Sequence, residues 1–392
     1  MLRSLVVISL FLFLLPQIAL AHHGGSEYTL NQTVEFKAAK LTRVALINPH
    51  SWLYFDVTEK DGKIGHHRCE MRSVHVLRRS GWTSDLFPIG QQITIEASPN
   101  RTDPNSCYLQ TILLADGTRM DRYGQYVKAS KGGLQEVRGP IAVPKTNRPL
   151  RRSTGEPNIS GDWAPEQVVM LDPRGTGGGM MRLTEIGQYK PGERPANANA
   201  GGGARRGAPA GPRQYGGTEL TELGEKAAAD FKREDNPRFR CEPTSIIFDW
   251  PFDGPVNRIT QNKDTIVLEY GQFGLKRTIY TNVKQHPQAI KPSRAGHSIG
   301  VWEGDTLVVD TVGFSPGFLT TPVRNSDELH VVERFSLDPT TMALTRRYVA
   351  EDPVYLKGKY TGFDTILVAD APYSPGKCEE LNFLDYSKQQ KP

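Results

Sequence analysis

Residues 52–71 read WLYFDVTEKDGKIGHHRCEM, and this stretch decides the fold of the first half of the chain. Leu53, Phe55 and Val57 alternate with more polar positions, which is the two-residue period of a half-buried β-strand. The sequence KDGK at residues 60–63 carries the Asp-Gly signal of a tight hairpin turn. A second strand returns over residues 64–71, so the stretch predicts an antiparallel hairpin in which position 50 faces about position 72.

The sequence on either side of this hairpin predicts a small barrel. A β-rich run at residues 33–47 stops before Pro49, because proline cannot donate to a strand ladder. Ser73 is a suitable N-cap for a short helix, and further strands are predicted at residues 93–97 and 108–115. Three strands, a helix and two strands are the order of an OB-like five-stranded barrel, in which the third and fifth strands are neighbours.

Four cysteines bear on both compartment and topology. Because none lies in a Cys-x-x-Cys spacing, two disulfides in an oxidising compartment are favoured over a tetrahedral zinc site. Three pairings are open. We favour Cys69 with Cys107 and Cys241 with Cys378, since each pair then lies inside one predicted domain. Neighbouring third and fifth strands would bring the first pair within bridging distance.

The start of the chain indicates export. Arg3 precedes an apolar run over residues 5–15, and residues 19–21, ALA, are the small residues that signal peptidase accepts. Cleavage before His22 would give a periplasmic or secreted protein that begins His-His-Gly-Gly. The apolar run is shorter than the ~18 residues that a spanning helix needs, so no membrane insertion is expected after cleavage.

The charge of the chain is mild, at +5 over 392 residues. Its basic residues are scattered and form no patch with interleaved aromatics, so nucleic acid is not an expected partner. Protein partners are not specified by the sequence.

Composition divides the chain into five parts. We predict a signal peptide at 1–21, an OB-like domain at 22–122, a linker rich in Lys, Arg, Gly and Pro at 123–157, an antiparallel β domain at 158–392, and within it a disordered Ala/Gly/Pro-rich insertion at 195–217.

The second domain reads as one helix and a series of short strands. Residues 220–233 have the helical spacing, with Leu220, Leu223, Ala227 and Phe231 on one face. Short turns predict an antiparallel meander. Its strands are expected at residues 257–261, 265–270, 275–280, 298–302, 306–311, 329–337, 342–349 and 360–368. The segment SGDW at 160–163 is similar to the opening of lipocalin-like barrels. A closed antiparallel β-barrel and a two-sheet sandwich both stay open.

Four motifs in the first half occur together and in order. They are the His-His start, NPHSW at 48–52, RRSGW at 78–82 and LADG at 114–117. In this combination residues 22–121 resemble a bacterial secreted family of unknown function. Residues 158–385 resemble a second uncharacterised exported β-rich family through RCEP at 240–243, GHSIG at 296–300, WEGDTLVVDT at 302–311 and HVVERF at 330–335. Neither resemblance implies an activity.

The sharpest chemical hypothesis is a copper site at the mature N-terminus. The amine and ring of His22 could chelate Cu(II), with His50 as a second imidazole, since nitrogen ligands suit copper. His75 is placed near this site by the hairpin register, whereas His66 and His67 lie five or six residues away. At ~3.3 Å per residue this is nearly 20 Å, too far for shared ligation. The alternative is a disordered tail, with His50 capping a strand end.

A second candidate site lies in the second domain. An inward-facing set of Arg277, His297 and either His330 or Arg334 would form a polar pocket for a small anionic ligand. The alternative is that these side chains make cross-strand pairs. The GHSIG stretch matches the spacing Gly-x-Ser-x-Gly, but a strand follows it where a nucleophile elbow needs a helix, so no nucleophile is predicted.

These observations together predict an exported binding protein, with copper on the first domain and a small-molecule ligand in the second. Two alternatives stay open: a copper-dependent redox enzyme, and a non-catalytic structural or interaction protein.

Overall fold

The computed structural model describes residues 28–48, 50–79, 82, 84–87, 89–121, 126–130, 133–136, 147–165, 168–170, 180–182, 216–252, 255–369, 371–375 and 378. Over these ranges the chain is mainly β, as predicted, and contains two barrels that follow one another in sequence. The longest helix in them has 8 residues.

The first barrel confirms the OB-like prediction. Its elements are β1 (Val34–Ala45), β2 (Trp52–Thr58), β3 (Ile64–Glu70), α1 (Val74–Arg79), β4 (Gln92–Pro99) and β5 (Ser106–Leu113). β1 pairs antiparallel with β2 and β4, and β5 pairs antiparallel with β4 and parallel with β3, which closes the five strands. The hairpin pairs Trp52 with Glu70, so position 50 does face position 72.

The alternation in β2 supplies the core of this barrel. Leu53 and Phe55 are buried, and Val57 packs against the same cluster. Burying a side chain of this size contributes about 1.5–3 kcal/mol. β1 carries two register shifts, one on its pairing with β2 and one on its pairing with β4. Bulges of this kind bend a strand, and the bends let β1 contribute to both sides of the closed sheet.

Three short strands extend the first sheet beyond β5. They are β6 (Arg119–Asp121), β7 (Tyr126–Ser130) and β8 (Gly133–Glu136). The last two lie inside the range predicted as a linker. Strands of four and five residues are too short to show a sustained period, and therefore the composition alone suggested a linker.

Thirteen further strands are described after β8, and nine of them form the second barrel. In chain order these are β9 (Gly161–Pro165), β10 (Val168–Met170), β11 (Met180–Arg182), β12 (Asn257–Gln261), β13 (Thr265–Glu269), β14 (Lys276–Tyr280), β15 (His297–Glu303), β16 (Thr306–Val312), β17 (Gly317–Thr320), β18 (Val323–Asn325), β19 (His330–Leu337), β20 (Leu344–Glu351) and β21 (Tyr360–Val368). β10 with β11 and β17 with β18 form separate pairs. The other strands close a nine-stranded barrel within the described part of the chain, in the order β12-β13-β14-β15-β16-β19-β20-β21-β9.

The strand that contains Trp163 completes this barrel. β9 lies between β21 and β12, and Trp163 is fully buried. The barrel alternative of the sequence analysis is therefore the one the chain adopts, and the sandwich is not.

One pairing departs from the predicted meander. β14 and β15 are parallel, with Ile279 opposite Ser298. Parallel neighbours need a connection of about a dozen residues or more, and the long segment between Tyr280 and His297 provides it. The strand pattern predicted both strands correctly but could not show their relative direction.

The helix of the second domain is shorter than predicted. α2 (Glu222–Ala229) begins after the N-cap Thr221, whose hydroxyl accepts a hydrogen bond from the Gly224 amide, and ends at Asp230. Leu220 and Phe231 are buried outside the helix, whereas Leu223 is exposed. Of the four residues predicted to share one helical face, two therefore lie in the short helix and two lie in the residues that flank it.

Gly271 illustrates how tightly the turn after β13 is packed. A Cβ at this position would lie 2.2 Å from the Val256 carbonyl oxygen and 2.9 Å from Pro255 Cβ. We expect Gly271→Ala to lower the free energy of unfolding by roughly 1–3 kcal/mol, because backbone must move to admit the methyl group. Urea denaturation measures this, with Gly304→Ala as a comparison for φ alone: Gly304 has φ +58° and open space around it. An unchanged Gly271→Ala midpoint would contradict the prediction.

Two disulfides are present, Cys69–Cys107 and Cys241–Cys378, which is the favoured pairing. They indicate an oxidising compartment outside the cytoplasm. Cys378 also forms an isolated parallel bridge with Asn48, and its Sγ lies 3.5 Å from the Asn48 carbonyl oxygen. The second disulfide is thus in contact with the first barrel. None of the helices in the described ranges is long and apolar enough to cross a membrane.

Candidate functional site

His50 lies between β1 and β2, beside the end of β3. Its Nδ1 is paired with the Glu70 carboxylate at Oε1, and the phenol of Tyr28 donates to Glu70 Oε2 at 2.7 Å. The Glu70 side chain is only 2% exposed, whereas that of His50 is 27% exposed. A buried carboxylate therefore lies against one nitrogen of an accessible imidazole, as an ion-pair contact and not as a formed hydrogen bond.

This pairing fixes which His50 nitrogen can bind a ligand. The carboxylate lies against the buried Nδ1, so Nε2 is the ring nitrogen left for a ligand. Imidazoles that ligate metals are commonly oriented in this way by a carboxylate. The hydrogen bond from Tyr28 fixes the Glu70 carboxylate, and the carboxylate in turn fixes the position of the His50 ring.

Tyr28 also anchors the segment that leads from the N-terminus. It forms a backbone bridge with Asn100, and the Thr29 amide donates to the Pro99 carbonyl at 2.9 Å. His22 lies in residues 1–27, outside the described part of the chain. It is six positions before Tyr28, and an extended chain covers about 20 Å over that span. A terminus at His22 is therefore within reach of His50.

The other predicted histidines of the first barrel are engaged elsewhere. His75 is buried, and its Nε2 is 2.9 Å from Asn48 Nδ2. Burial, with the nearby charges of Arg78 and Arg79, lowers the pKa of His75 to about 4. His75 is thus a buried, neutral side chain of α1 whose Nε2 faces the Asn48 amide. His66 and His67 pair with Asp56 and Glu59, at the opposite end of the hairpin from His50.

The pocket predicted in the second domain is divided between two faces of the barrel wall. Arg277 points inward and is 1% exposed. His297 and His330 belong to the opposite, outward face of β15 and β19, where they alternate with the buried residues Ser298 and Val331. Arg334 is exposed and paired with Glu303. On β19 the buried residue is Glu333, and not His330 or Arg334 as expected.

Arg277 belongs to a buried network of charges. Glu333 pairs with Arg277 through Oε2 and with Arg346 through Oε1, and Arg346 also pairs with Asp364. Burial alone would raise the pKa of Glu333, but the two guanidinium groups outweigh it and the pKa is lowered. Two arginines face two carboxylates, so this network has no spare charge for an anion.

Backbone and hydroxyl groups satisfy much of what remains in the network. Arg346 donates to the carbonyls of Ile246 and Ile247 at 2.8 and 2.9 Å, which holds residues 246–247 inside the barrel. Arg277 donates to Ser298 Oγ at 2.8 Å. Ser298 is buried and lies within strand β15, so the Gly-x-Ser-x-Gly spacing does not form a nucleophile elbow here.

The outward face carries a cluster that the sequence did not predict as a unit. His286 Nδ1 lies 2.8 Å from His297 Nδ1, His286 Nε2 lies 2.8 Å from Asp310 Oδ1, and His330 Nε2 lies 2.9 Å from Asp310 Oδ2. Burial would raise the pKa of Asp310, but the hydrogen bonds from His286 and His330 outweigh it and lower the pKa. Burial and His286 lower the pKa of His297. All three histidines of residues 158–392 are in this cluster.

The geometry of this cluster is a chain and not a chelate. An ionised Asp310 accepts from both Nε2–H groups, so His286 Nδ1 accepts from His297 Nδ1–H, and the lone pairs left over are on His297 Nε2 and His330 Nδ1. Across the described residues, no group of three or more His, Cys, Asp or Glu side chains is placed to hold a metal ion. The strand register could have placed Asp310 near His297, but His286 lies in the long β14–β15 connection and carries no periodic signal.

No curated protein and no solved structure matches this chain. The model of one family, described as a family of unknown function (DUF6152), matches residues 12–107, that is, the region from the apolar N-terminal run to the start of β5. Residues 12–107 are therefore similar to an uncharacterised family.

Proposed function

We propose that this chain is an exported copper-binding protein, with Cu(II) held at one end of the first barrel by the amine and ring of His22 and by Nε2 of His50. The observation that carries the proposal is the set Tyr28–Glu70–His50, in which a buried carboxylate leaves an accessible imidazole nitrogen. The signal-peptide pattern supplies the other ligand, because cleavage before His22 frees its amine.

The chemistry of the donors fits this metal. An amine and two imidazoles provide nitrogen ligands, and copper has the highest affinity for such ligands among the common divalent metals. The two disulfides are consistent with export. Glu70 would keep His50 Nε2 available, and Tyr28 would hold both Glu70 and the chain that leads to His22.

The test is Cu(II) binding to protein that has been exported and whose N-terminus is verified as His22 by mass spectrometry. We expect one copper per chain with nitrogen hyperfine structure in the EPR spectrum. One extra residue before His22, or His50→Ala, should abolish this signal. Glu70→Gln should weaken binding by about 10- to 100-fold, as is usual for residues that orient a ligand.

His66→Ala is the matched control. His66 also pairs with a carboxylate through Nδ1, at 2.7 Å from Asp56, but it lies at the far end of the hairpin. Its loss should leave copper binding unchanged. Equal copper binding by the cleaved and the extended proteins would overturn the proposal.

A further inference from the structure

The connection between β14 and β15 lies against the outward face of the second barrel. Its ends are fixed by backbone hydrogen bonds: the Thr281 amide donates to the Asp264 carbonyl at 2.9 Å, and the Ser293 amide donates to the Gly313 carbonyl at 3.2 Å. Between these points residues 282–292, here called the strap, form no backbone hydrogen bond with any described residue. Segments with so few contacts open locally at a low cost in free energy.

Two side chains attach the strap to the barrel wall. Ile290 packs on Gly313, since a Cβ at position 313 would lie 2.4 Å from Ile290 Cγ2. His286 bonds to His297 on β15 and to Asp310 on β16, each at 2.8 Å. Across the described part of the chain, no other side chain of the strap forms a hydrogen bond or an ion pair. His286 is therefore the polar attachment of the whole segment.

The hydrogen bond between the two rings depends on their protonation. With Asp310 ionised, His286 Nε2–H donates to the carboxylate, and His286 Nδ1 accepts from His297 Nδ1–H. When both rings are protonated, both Nδ1 atoms carry a hydrogen and neither can accept. Two positive rings then face each other through nitrogen atoms that are 2.8 Å apart in the closed strap. The attachment therefore breaks when the second ring takes up a proton.

The groups that face the two rings do not offset this repulsion. Asp310 offers one negative charge, and it is shared between His286 and His330. On the side of β14, Tyr280 stacks on His297 with ring centroids 5.2 Å apart, and it brings no carboxylate. In acid, three imidazolium groups would therefore surround one carboxylate.

Charged groups farther out do not supply a second free carboxylate. Glu351 of β20 lies opposite His330 in the strand register, but it pairs with Lys359. The other charged residues of the strap are Lys284 and Lys291, both cations.

The effect of pH on the strap has a definite sign. Burial and His286 together lower the pKa of His297 from its ordinary 6.5. The closed strap thus binds fewer protons than the open strap, in which the two rings are apart. By linkage, the closed state is fully favoured above pH 6.5 and loses this advantage as the pH falls below that value.

We propose that the strap is a pH-sensitive switch, closed on the outward face of β15 and β16 at neutral pH and opened in mild acid when His286 and His297 are both protonated. Opening exposes His297 and Asp310 to solvent. The switch lies in the second domain and does not depend on His50 or on copper.

The test is limited digestion of the full chain with proteinase K at pH 7.5 and at pH 5.0, with the cleavage sites mapped by mass spectrometry. A synthetic peptide of residues 280–297, digested in parallel, corrects for the pH dependence of the protease. Cleavage follows the population of the open state. We expect the corrected rate of cleavage within the strap to rise about tenfold at pH 5.0, well beyond any rise within the first barrel.

Two variants should respond in opposite ways. His286→Ala removes the attachment, so its strap should be cleaved rapidly at both pH values. His297→Asn places an amide near the position of Nδ1, and this amide can donate to a neutral His286 or accept from a protonated one. Its strap should therefore stay closed at pH 5.0.

His66→Asn is the matched control, because His66 also bonds to an aspartate through a ring nitrogen but lies in the first barrel. Its strap should respond to acid like that of the original protein. Equal corrected rates at the two pH values, a full acid response in His297→Asn, or an equal rise in cleavage within the first barrel would overturn the proposal.

Discussion

Glu333→Gln is expected to lower the free energy of unfolding by about 3–5 kcal/mol, the usual cost of removing one partner from a buried ion pair. Glu333 is fully buried and pairs with both Arg277 and Arg346. Glutamine keeps the shape of the side chain but not its charge. Arg346 retains Asp364, whereas Arg277 is left without a carboxylate. Urea denaturation near neutral pH, with the slope compared between variants, measures the loss.

The control for this prediction is an exposed ion pair of the same type, between Glu303 at the end of β15 and Arg334 of β19. Glu303 and Arg334 are paired, with side chains 55% and 48% exposed. Exposed pairs contribute about 0–1 kcal/mol, so Glu303→Gln should change stability by no more than that. Similar losses for the two variants would show that burial does not strengthen the pairing of Glu333.

Acidification is expected to destabilise the first barrel through His75. Its pKa is lowered from 6.5 to about 4 in the folded protein, so the unfolded chain binds a proton that the folded chain excludes. The folded state is therefore fully stable with respect to His75 above pH 6.5, the unfolded pKa, and its free energy of unfolding decreases as the pH falls toward 4. The shift corresponds to about 3 kcal/mol between pH 7 and pH 4.

Chemical denaturation at pH 7 and pH 4 tests this prediction in the original protein and in His75→Gln. Glutamine does not titrate and can still bond to Asn48, so the variant should lose about 3 kcal/mol less than the original on acidification. His66→Gln, at an exposed site, should not reduce the loss. If His75→Gln is as sensitive to acid as the original, the histidine is not the cause.

Most elements of the fold were predictable because their patterns are local. β2, β12 and β21 begin and end where the alternation predicts. The order of elements in the first half gave the OB-like topology, and that topology gave the parallel neighbours on which Cys69 and Cys107 lie. Strand direction was not local: the parallel pairing of β14 with β15 depends on the path of a long connection.

The candidate sites were predicted only where one hairpin or one strand carries the information. Counting along the hairpin placed His50 near the end of β3, but Tyr28 reaches Glu70 through tertiary contact. The two-residue period of β19 does not show which face is inward: His330 or Arg334 was expected to face inward, whereas Glu333 is the buried residue. His286 lies in the connection between β14 and β15, where no period exists, and only the folded structure brings it to His297 and Asp310.

The bridge between Cys378 and Asn48 links positions 330 residues apart. Cys378 is tied to Cys241, and Asn48 lies two residues before His50. The segment that presents His50 is thus in contact with a disulfide of the second domain. A fragment cut after the first barrel would lack this contact, and measurements on such a fragment would describe a different loop from the one in the whole protein.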